Sequence, residues 1–282
     1  KVTDCVISNM GASGVQMNAV DYATVDHNLV YHSGYGQGYS SGIDLWYGGS
    51  SPVYGGATAG YNSAPGFHNR ITNNVVSGSY DHSVHKTEGH GILIDGGVTT
   101  PALLIANNLV YENAGAGISV FDHDSPVWIV NNTGYADGLD PRIGHGYTSE
   151  YMAIHSTGVN WVNDLAYGHR SQTLLLHSWT FNNTLSGIRL VHNIAYNGST
   201  LGITPATRAD VRQYAEADPL FRNAPAIPQE PRPWGKAPPP WKIGHDFDVA
   251  GNSPTIGNGV NPATLAGVPP EFVAALSGWG RR

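Results

Sequence analysis

Short apolar segments with alternating side chains recur along the chain and predict β-strands. Segments 102–106 and 126–130 are rich in Val, Ile and Leu, and each is followed by a pair of Asn residues. A second short apolar segment follows a glycine-containing turn such as residues 112–117. Alternation with a period of two, bounded by Asn and Gly corners, is typical of strands rather than helices. The chain is therefore predicted to be all-β.

A motif built on Asn repeats along the first two thirds of the chain. Its second column contains Asn28, Asn74, Asn108, Asn132, Asp164 and Asn193, and Asn9 is expected to begin it. The variable spacing indicates a unit of about 20 residues that carries insertions. Asn tolerates the left-handed backbone region, and its amide can bond both its own turn and the Asn one coil away. The column predicts a right-handed parallel β-helix, whereas an antiparallel sandwich gives no account of it.

The last part of the chain has a different composition. Of the 18 prolines, 13 follow residue 200, with a dense group in residues 225–233. We expect the coils to occupy residues 1–200. Residues 201–282 are expected to pack on the same domain as a proline-rich arm, a last rung near residues 246–249 and a short capping helix around Pro270–Leu276. Because Lys1 leads directly into a strand, further N-terminal coils or a partner are expected at that edge.

Alignment of the second strands predicts one outward-facing column. The fourth positions of these strands, which alternation places outside, are Trp46, Asp95, Phe121, His155 and His177. Asp122, His123, Asp124 and Trp179 lie beside that column. The insertions 48–66, 79–90 and 137–150 are expected to wall a groove along it.

Charge and cysteine content exclude several classes of function. Lys and Arg total 14 against 21 Asp and Glu, a net charge of -7, and the basic residues form no run. Duplex nucleic acid and anionic membrane are therefore unsuitable partners. Cys5 is alone, which excludes an intrachain disulfide and a cysteine-based zinc cluster, and its apolar neighbours predict that it is buried. Low lysine with abundant Gly, Asn, Ser and Thr favours a secreted, extracellular protein.

Two motifs carry a resemblance to a known group of proteins. Residues 86–96, Lys-Thr-Glu-Gly-His-Gly-Ile-Leu-Ile-Asp-Gly, are followed by the rung Ala106–Tyr111, and segments 217–221 and 251–256 are similar to a closing coil. The chain resembles the right-handed parallel β-helix proteins of the pectate-lyase-like superfamily, of the secreted bacterial carbohydrate-active type. That resemblance implies a polysaccharide or oligosaccharide partner, but the superfamily includes lyases, hydrolases, epimerases and non-catalytic adhesins.

Three functions follow from these residues. Glycoside hydrolysis is slightly favoured and requires no cofactor. It would use the carboxylates of Asp95, Asp122 and Asp124. Asp95 and Asp122 reach one groove only if the strand turns at Asp122. His155 would orient a carboxylate or transfer a proton. A lyase would use Lys86 near the Asp95 rung, with Ca²⁺ held by Asp122 and Asp124.

The third function is binding without catalysis. Trp46, Phe121 and Trp179 suit the faces of sugars, and His123 and His177 would bond sugar hydroxyls. Aromatic ladders also stabilise solenoids that bind nothing, and Asp95 before Gly96 suits a simple turn. A carbohydrate-binding or surface solenoid protein therefore remains an alternative to an enzyme.

Overall fold

The structure is a computed structural model, and it describes most of the chain. It describes residues 1–36, 38–47, 64–96, 102–123, 125–143, 148–169, 189–198, 217–228 and 247–278, and the backbone alone of 174–179 and 214–216. Asp124 and most of the expected proline-rich arm lie outside the described residues, as does most of the insertion 48–66.

Twenty-one short strands account for nearly all the regular structure of these residues. The first seven are β1 (Val2–Thr3), β2 (Val6–Ser8), β3 (Val15–Asn18), β4 (Thr24–Asp26), β5 (Leu29–Tyr31), β6 (Ile43–Trp46) and β7 (Phe67–Thr72). The next seven are β8 (Val75–Ser77), β9 (Ile92–Asp95), β10 (Ala102–Ala106), β11 (Leu109–Tyr111), β12 (Ile118–Phe121), β13 (Val127–Val130) and β14 (Thr133–Tyr135). The last seven are β15 (Ser149–Ile154), β16 (Val159–Val162), β17 (Leu165–Tyr167), β18 (Leu174–Trp179), β19 (Arg189–Val191), β20 (Asn193–Tyr196) and β21 (Tyr214–Glu216).

These strands form three parallel sheets that share one axis. Sheet 1 has the order β1-β4-β7-β10-β13-β16-β19, sheet 2 has β2-β5-β8-β11-β14-β17-β20-β21, and sheet 3 has β3-β6-β9-β12-β15-β18. Each of the first six coils contributes one strand to each sheet, so residues far apart in sequence become neighbours about 4.8 Å apart along the axis. This arrangement confirms the prediction of an all-β parallel β-helix. Sheet 2 extends to β21, beyond the predicted end of the coils at residue 200.

The core lies between the three sheets and is built from the alternate residues of each strand. In sheet 3, the first and third positions are almost fully buried, as in Ile92 and Ile94 of β9 and Ile118 and Val120 of β12. Burying each such side chain stabilises the fold by about 1.5–3 kcal/mol. The second and fourth positions therefore face outward, as the alternation predicts.

The ladder of Asn side chains is confirmed from Asn28 to Asn193. Each Nδ2 donates to the side-chain oxygen on the next coil from Asn28 to Asp164, at 2.9–3.0 Å, and Asp164 N donates to Asn193 Oδ1 at 2.8 Å. The prediction that Asn9 begins the ladder is wrong. Because Val6 pairs with Leu29, the first coil places Cys5 there, and Cys5 N donates to Asn28 Oδ1 at 3.0 Å. Cys5 is exposed, contrary to expectation.

The left-handed backbone of this corner belongs to the residue before each ladder residue. Positive φ values between 54° and 60° occur at His27, Asn73, Asn107, Asn131, Asn163 and His192. The turn and the bond between coils, both expected of one column, are therefore divided between two adjacent residues. The first turns the chain, and the second joins the coils.

Glycines immediately before the sheet 3 strands allow the coils to approach closely. A Cβ atom at Gly42 would lie 2.6 Å from the carbonyl oxygen of Gly91, and a Cβ at Gly91 would lie 2.6 Å from that of Gly117. A side chain at these positions would separate the coils. The glycines thus fix the spacing of the strands that carry the outward column.

The C-terminal segment packs along the sides of the stack. Helix α1 (Pro270–Ser277) forms as predicted, but Phe272 and Leu276 pack on the outer face of sheet 1, against residues such as Trp128, rather than over an end. Residues 247–249 are not a rung of the stack: Val249 pairs antiparallel with Phe221 outside sheet 2. No helix among the described residues is long and apolar enough to cross a membrane.

Candidate functional site

Asp95 lies at the centre of the outward face of sheet 3, between two aromatic residues. At the fourth position of their strands, Trp46 of β6 and Phe121 of β12 both pair with Asp95 of β9. All three side chains are half-buried. This part of the predicted column is confirmed.

The predicted places of His155 and His177 in that column are wrong. Phe121 pairs with Ile154, so Ile154 continues the column and His155 lies one residue further on. In β18, Trp179 pairs with Ile154, and His177 pairs with Met152 at the second position. The column from β6 to β18 is therefore Trp46, Asp95, Phe121, Ile154 and Trp179.

The shift of His155 brings it to Asp122 on the neighbouring coil. Both residues have a left-handed backbone, with φ values of 49° and 48°, and Asp122 N donates to Ile154 O. The strand therefore turns at Asp122, which is the condition under which its side chain reaches the same face as Asp95. The Asp122 side chain is 53% exposed, and its Oδ1 lies 3.0 Å from Nδ1 of His155, whose ring packs 5.6 Å from that of Phe121.

The surroundings of Asp95 favour its protonated form. Burial, reinforced by the neighbouring Asp122 carboxylate, raises the pKa of Asp95 to about 6. A carboxyl group with a raised pKa beside a more exposed carboxylate is the arrangement by which acid and base roles are separated in hydrolytic sites. Such a pair can deliver a proton and hold a negative charge at adjacent positions.

Two further carboxyl groups, neither of them predicted from the sequence, interact electrostatically with Asp95. Asp44 occupies the second position of β6 and is 4% exposed; burial and then the Asp95 carboxylate raise its pKa to about 8. Glu88 lies in the turn before β9, where burial first and then Asp44 and Asp95 raise its pKa well above the usual value. In the sequence, the polar residue at the second position of the otherwise apolar strand Ile43–Trp46 was the signal that could have pointed to Asp44. We refer to Glu88, Asp44, Asp95 and Asp122 as the acidic row.

His90 lies beside Glu88, at one end of the acidic row. It is buried, and Ala116 N donates to its Nδ1 at 2.8 Å, so the proton of the neutral ring lies on Nε2. Burial lowers the pKa of His90 to about 4, and its Nε2 lies 3.7 Å from Glu88 Oε2. A neutral imidazole therefore faces Glu88 and supplies no positive charge to the row.

The structure gives other roles or other places to the remaining predicted residues. Among the described residues, Lys86 donates to the carbonyl of Asp81 and lies 5.1 Å from the centre of the Tyr80 ring, and no contact joins it to Asp95. His123 is fully buried, with Nδ1 3.3 Å from Gly96 O, so it cannot touch a bound sugar as predicted. Asp124 lies outside the described residues, as do the side chains of His177 and Trp179.

Of the two expected Ca²⁺ ligands, only Asp122 lies in the described part of the chain, so the Ca²⁺ site stays a prediction. No group of three or more His, Cys, Asp or Glu residues there is arranged to hold a metal ion. The Asp122 oxygen nearest a neighbour is bonded to His155. The contact of Asp122 with His155 thus joins the corners of two neighbouring coils.

Comparison with known proteins supports the fold. The family model described as right handed beta helix region matches residues 1–133, slightly less than half of the chain. The searches of curated proteins and of solved structures gave no match. Together with the three parallel sheets, the family match supports a right-handed parallel β-helix, a fold that fits a carbohydrate-active or a surface solenoid protein.

Proposed function

We propose that the protein is a secreted enzyme that hydrolyses glycosidic bonds of an extracellular polysaccharide, with Asp95 as the general acid and Asp122 as the second carboxylate. The observation that supports this most is the contrast between the two groups: burial and its neighbour raise the pKa of Asp95 to about 6, whereas Asp122 is half-exposed and bonded to His155. Hydrolysis requires one carboxyl group of each kind.

In this reaction the proton of Asp95 passes to the oxygen that links two sugar residues. The bond between that oxygen and the anomeric carbon breaks, and the carbon forms a bond to an oxygen supplied by water or, transiently, by Asp122. Asp122 either removes a proton from the attacking water or acts as the nucleophile. His155 is a positioning residue, because its Nδ1 holds Asp122 Oδ1 at 3.0 Å.

The stereochemical outcome separates these two roles of Asp122. One coil step of about 4.8 Å and one residue step of about 3.3 Å place the backbones of Asp95 and Asp122 roughly 6 Å apart. Retention of the anomeric configuration requires Asp122 to be the nucleophile, and inversion requires it to be the base. Proton NMR of the first product formed distinguishes them.

Lyase chemistry is less well supported by the contacts of its proposed groups. Lys86, the candidate base, is engaged by Tyr80 and Asp81, and the candidate Ca²⁺ ligand Asp122 is bonded to His155. Binding without catalysis would use the aromatic residues beside Asp95 and needs none of its acidity. Both alternatives are outcomes of the same assay.

The assay follows reducing ends and absorbance at 235 nm during incubation with a panel of polysaccharides. Hydrolysis gives reducing ends without new absorbance, elimination gives both, and a pure binder gives neither while it is retarded in a gel that contains the glycan. Asp95→Asn should abolish turnover and leave the fold intact by circular dichroism. The matched control is Asp4→Asn at an exposed residue of the first coil. Full activity of Asp95→Asn would remove Asp95 from the mechanism.

A further inference from the structure

We infer that Tyr47 is a further substrate-binding residue of this site, and that Gly96 is the position that lets its ring lie there. The ring packs on a sugar residue beside Asp95, and the phenol hydroxyl forms a hydrogen bond with a hydroxyl group of that sugar. This inference rests on the proposed function, because it uses the same site. It adds a residue to which neither the sequence pattern nor the proposed reaction gives a role.

The residues that directly follow the outward column of sheet 3 form one corner of the coils. Tyr47 N donates to Asp95 O at 2.8 Å, and Gly96 N donates to Phe121 O at 2.9 Å, so each corner residue is bonded to the next coil in the same way. Tyr47, Gly96 and Asp122 therefore occupy equivalent positions on three successive coils, each about 4.8 Å from the next. Tyr47 thus belongs to the corner that carries the second carboxylate of the proposed reaction.

The backbone of this corner does not require a glycine. Ala19, Tyr47, Asp122 and His155 hold positions equivalent to Gly96 with φ values between 48° and 50°, and each of them carries a side chain. A left-handed corner in this fold therefore accepts other residues. Gly96, with φ of 71°, needs a different explanation.

The ring of Tyr47 provides that explanation. A Cβ atom at Gly96 would lie 2.7 Å from Cε1 of Tyr47 and 2.9 Å from its Cδ1, so the ring occupies the space of the missing side chain. The ring thus crosses from its own coil to the coil of Asp95, where it lies one residue from that acid and about one coil step from Asp122. On its own coil, the ring of Trp46 packs beside it, with the ring centres 5.1 Å apart.

The exposed part of Tyr47 suits a sugar. The side chain is half-buried, and its hydroxyl forms no hydrogen bond with the described residues. A phenol hydroxyl can donate and accept, and an aromatic ring packs on the apolar C–H face of a sugar while its polar end stays in water. Because Gly96 and Trp46 already hold the ring in place, binding a sugar costs little further ordering of this side chain.

The test measures binding before cleavage. Tyr47→Phe and Tyr47→Ala are each added to the Asp95→Asn protein, which is run in gels that contain the polymer of the panel that retards it most. We expect binding to weaken about tenfold or more in Tyr47→Ala, which loses the ring, and roughly three- to tenfold in Tyr47→Phe, which loses only the hydroxyl. The matched controls are Tyr196→Ala and Tyr196→Phe, at a half-buried tyrosine of sheet 2 whose ring lies 5.3 Å from that of Tyr167. They should leave binding unchanged.

A double-mutant cycle tests the role of Gly96. Gly96→Ala should weaken binding, because the added methyl group displaces the ring of Tyr47. In the Tyr47→Ala protein no ring remains to be displaced, so there the same change should weaken binding less than about twofold. Equal effects of Gly96→Ala with and without the ring would contradict the inference. Circular dichroism shows whether each variant is folded, and if Gly96→Ala is not, the variants of Tyr47 decide the inference alone.

The outcomes separate this inference from the proposed hydrolysis. Unchanged binding in Tyr47→Ala, or an equal loss in Tyr196→Ala, would overturn the inference even if the native chain proves hydrolytic. A loss of binding confined to the Tyr47 variants, without any cleavage by the native chain, would overturn the proposed hydrolysis and leave Tyr47 as a binding residue. If no polymer of the panel retards the Asp95→Asn protein, the inference is wrong.

Discussion

The imidazole of His155 and the carboxylate of Asp122 lie at equivalent corners of neighbouring coils, with Nδ1 and Oδ1 3.0 Å apart. The two residues are 33 positions apart in sequence, and the left-handed backbone at each of them turns both side chains toward the same face. With Nδ1 donating to the carboxylate, the imidazole fixes the direction of Asp122 relative to Asp95. This contact depends on the register between β12 and β15.

Replacing His155 should reduce catalysis more than stability. In His155→Asn, the new residue tolerates the left-handed corner, but Asp122 loses the group that orients it. We expect kcat/KM to fall roughly 10- to 100-fold, mainly through kcat, because a misplaced catalytic group slows the chemical step. Steady-state kinetics on the polymer identified by the panel measure this effect.

The matched control for that variant is His27→Asn. His27 also has a left-handed backbone, with φ of 56°, and its side chain is 64% exposed beside Asp26 at another corner. It should retain full activity. An equal loss in both variants, or a His155→Asn protein as active as the native chain, would contradict the positioning role.

Activity should decline as pH rises through about 6. Asp95 must carry a proton to act as the general acid, and its raised pKa of about 6 sets the basic limb of the profile. Asp122→Asn removes the negative charge that helps to raise this pKa, so the limb of the remaining activity should move to lower pH. Rates of the native chain and of Asp122→Asn between pH 4 and 9 measure the shift. A limb that stays in place would exclude Asp95 as the titrating acid.

The repeat in the sequence was sufficient to predict the coils, yet not the register of every strand. Alternation shows which residues face inward only where polar and apolar residues truly alternate. In β15, Met152, Ala153 and Ile154 are all apolar, so a shift of one residue leaves the pattern unchanged, and His155 was placed beside Phe121 instead of Asp122. The three successive leucines of β18 produced the same uncertainty for His177.

The acidic row shows a second limit of sequence reasoning. Asp44 stands at an outward position of β6, where a carboxylate in water would be unremarkable, and its pKa is raised only because it is buried next to Asp95. Glu88 reaches the row from a turn that belongs to no repeat. A repeat predicts which residues share a column, but it does not predict which parts of the chain bury them. The raised pKa of Asp95 depends on that burial.

Removing one rung of the Asn ladder should destabilise the whole stack. Asn108 Nδ2 donates to Asn132 Oδ1 and to Ile71 O, and its Oδ1 accepts from the backbone and side chain of Asn74. Asn108→Ala leaves several buried groups without partners, at a cost of roughly 2–4 kcal/mol in the free energy of unfolding. Urea denaturation followed by circular dichroism measures this cost.

The adjacent residue provides the control for the ladder. Asn107 has a left-handed backbone, with φ of 60°, and within the described part of the chain its half-buried side chain makes one bond, to Asn73 Oδ1 at 2.7 Å. Asn107→Gly keeps the turn and loses only that bond, so it should cost about 1 kcal/mol or less. Equal losses in the two variants would show that the ladder adds nothing beyond an ordinary corner.

A second pair of buried carboxyl groups, Asp137 and Glu150, is separate from the acidic row and should make the free energy of unfolding depend on pH. Asp137 and Glu150 are fully buried; Asp137 N donates to Glu150 Oε1 at 3.0 Å, and Asn113 Nδ2 donates to Asp137 Oδ1 at 2.8 Å. Burial raises the pKa of Asp137 to about 7, and burial with the Asp137 charge raises that of Glu150 well above its usual value. The folded chain therefore binds protons that the unfolded chain, with carboxyl pKa values of about 4, releases.

Because both folded-state pKa values are raised, the stability that this pair contributes is present below about pH 4 and is lost as pH rises through 7. In Asp137→Asn, the amide oxygen still accepts from Asn113 and the amide hydrogen can donate to Glu150, so no charge has to be buried at residue 137. Between pH 5 and 8, we expect the free energy of unfolding of Asp137→Asn to fall less steeply than that of the native chain. At pH 8 the two decreases should differ by several kcal/mol. Urea denaturation of both proteins across this range measures the difference. Parallel profiles would show that the pair does not titrate between these pH values.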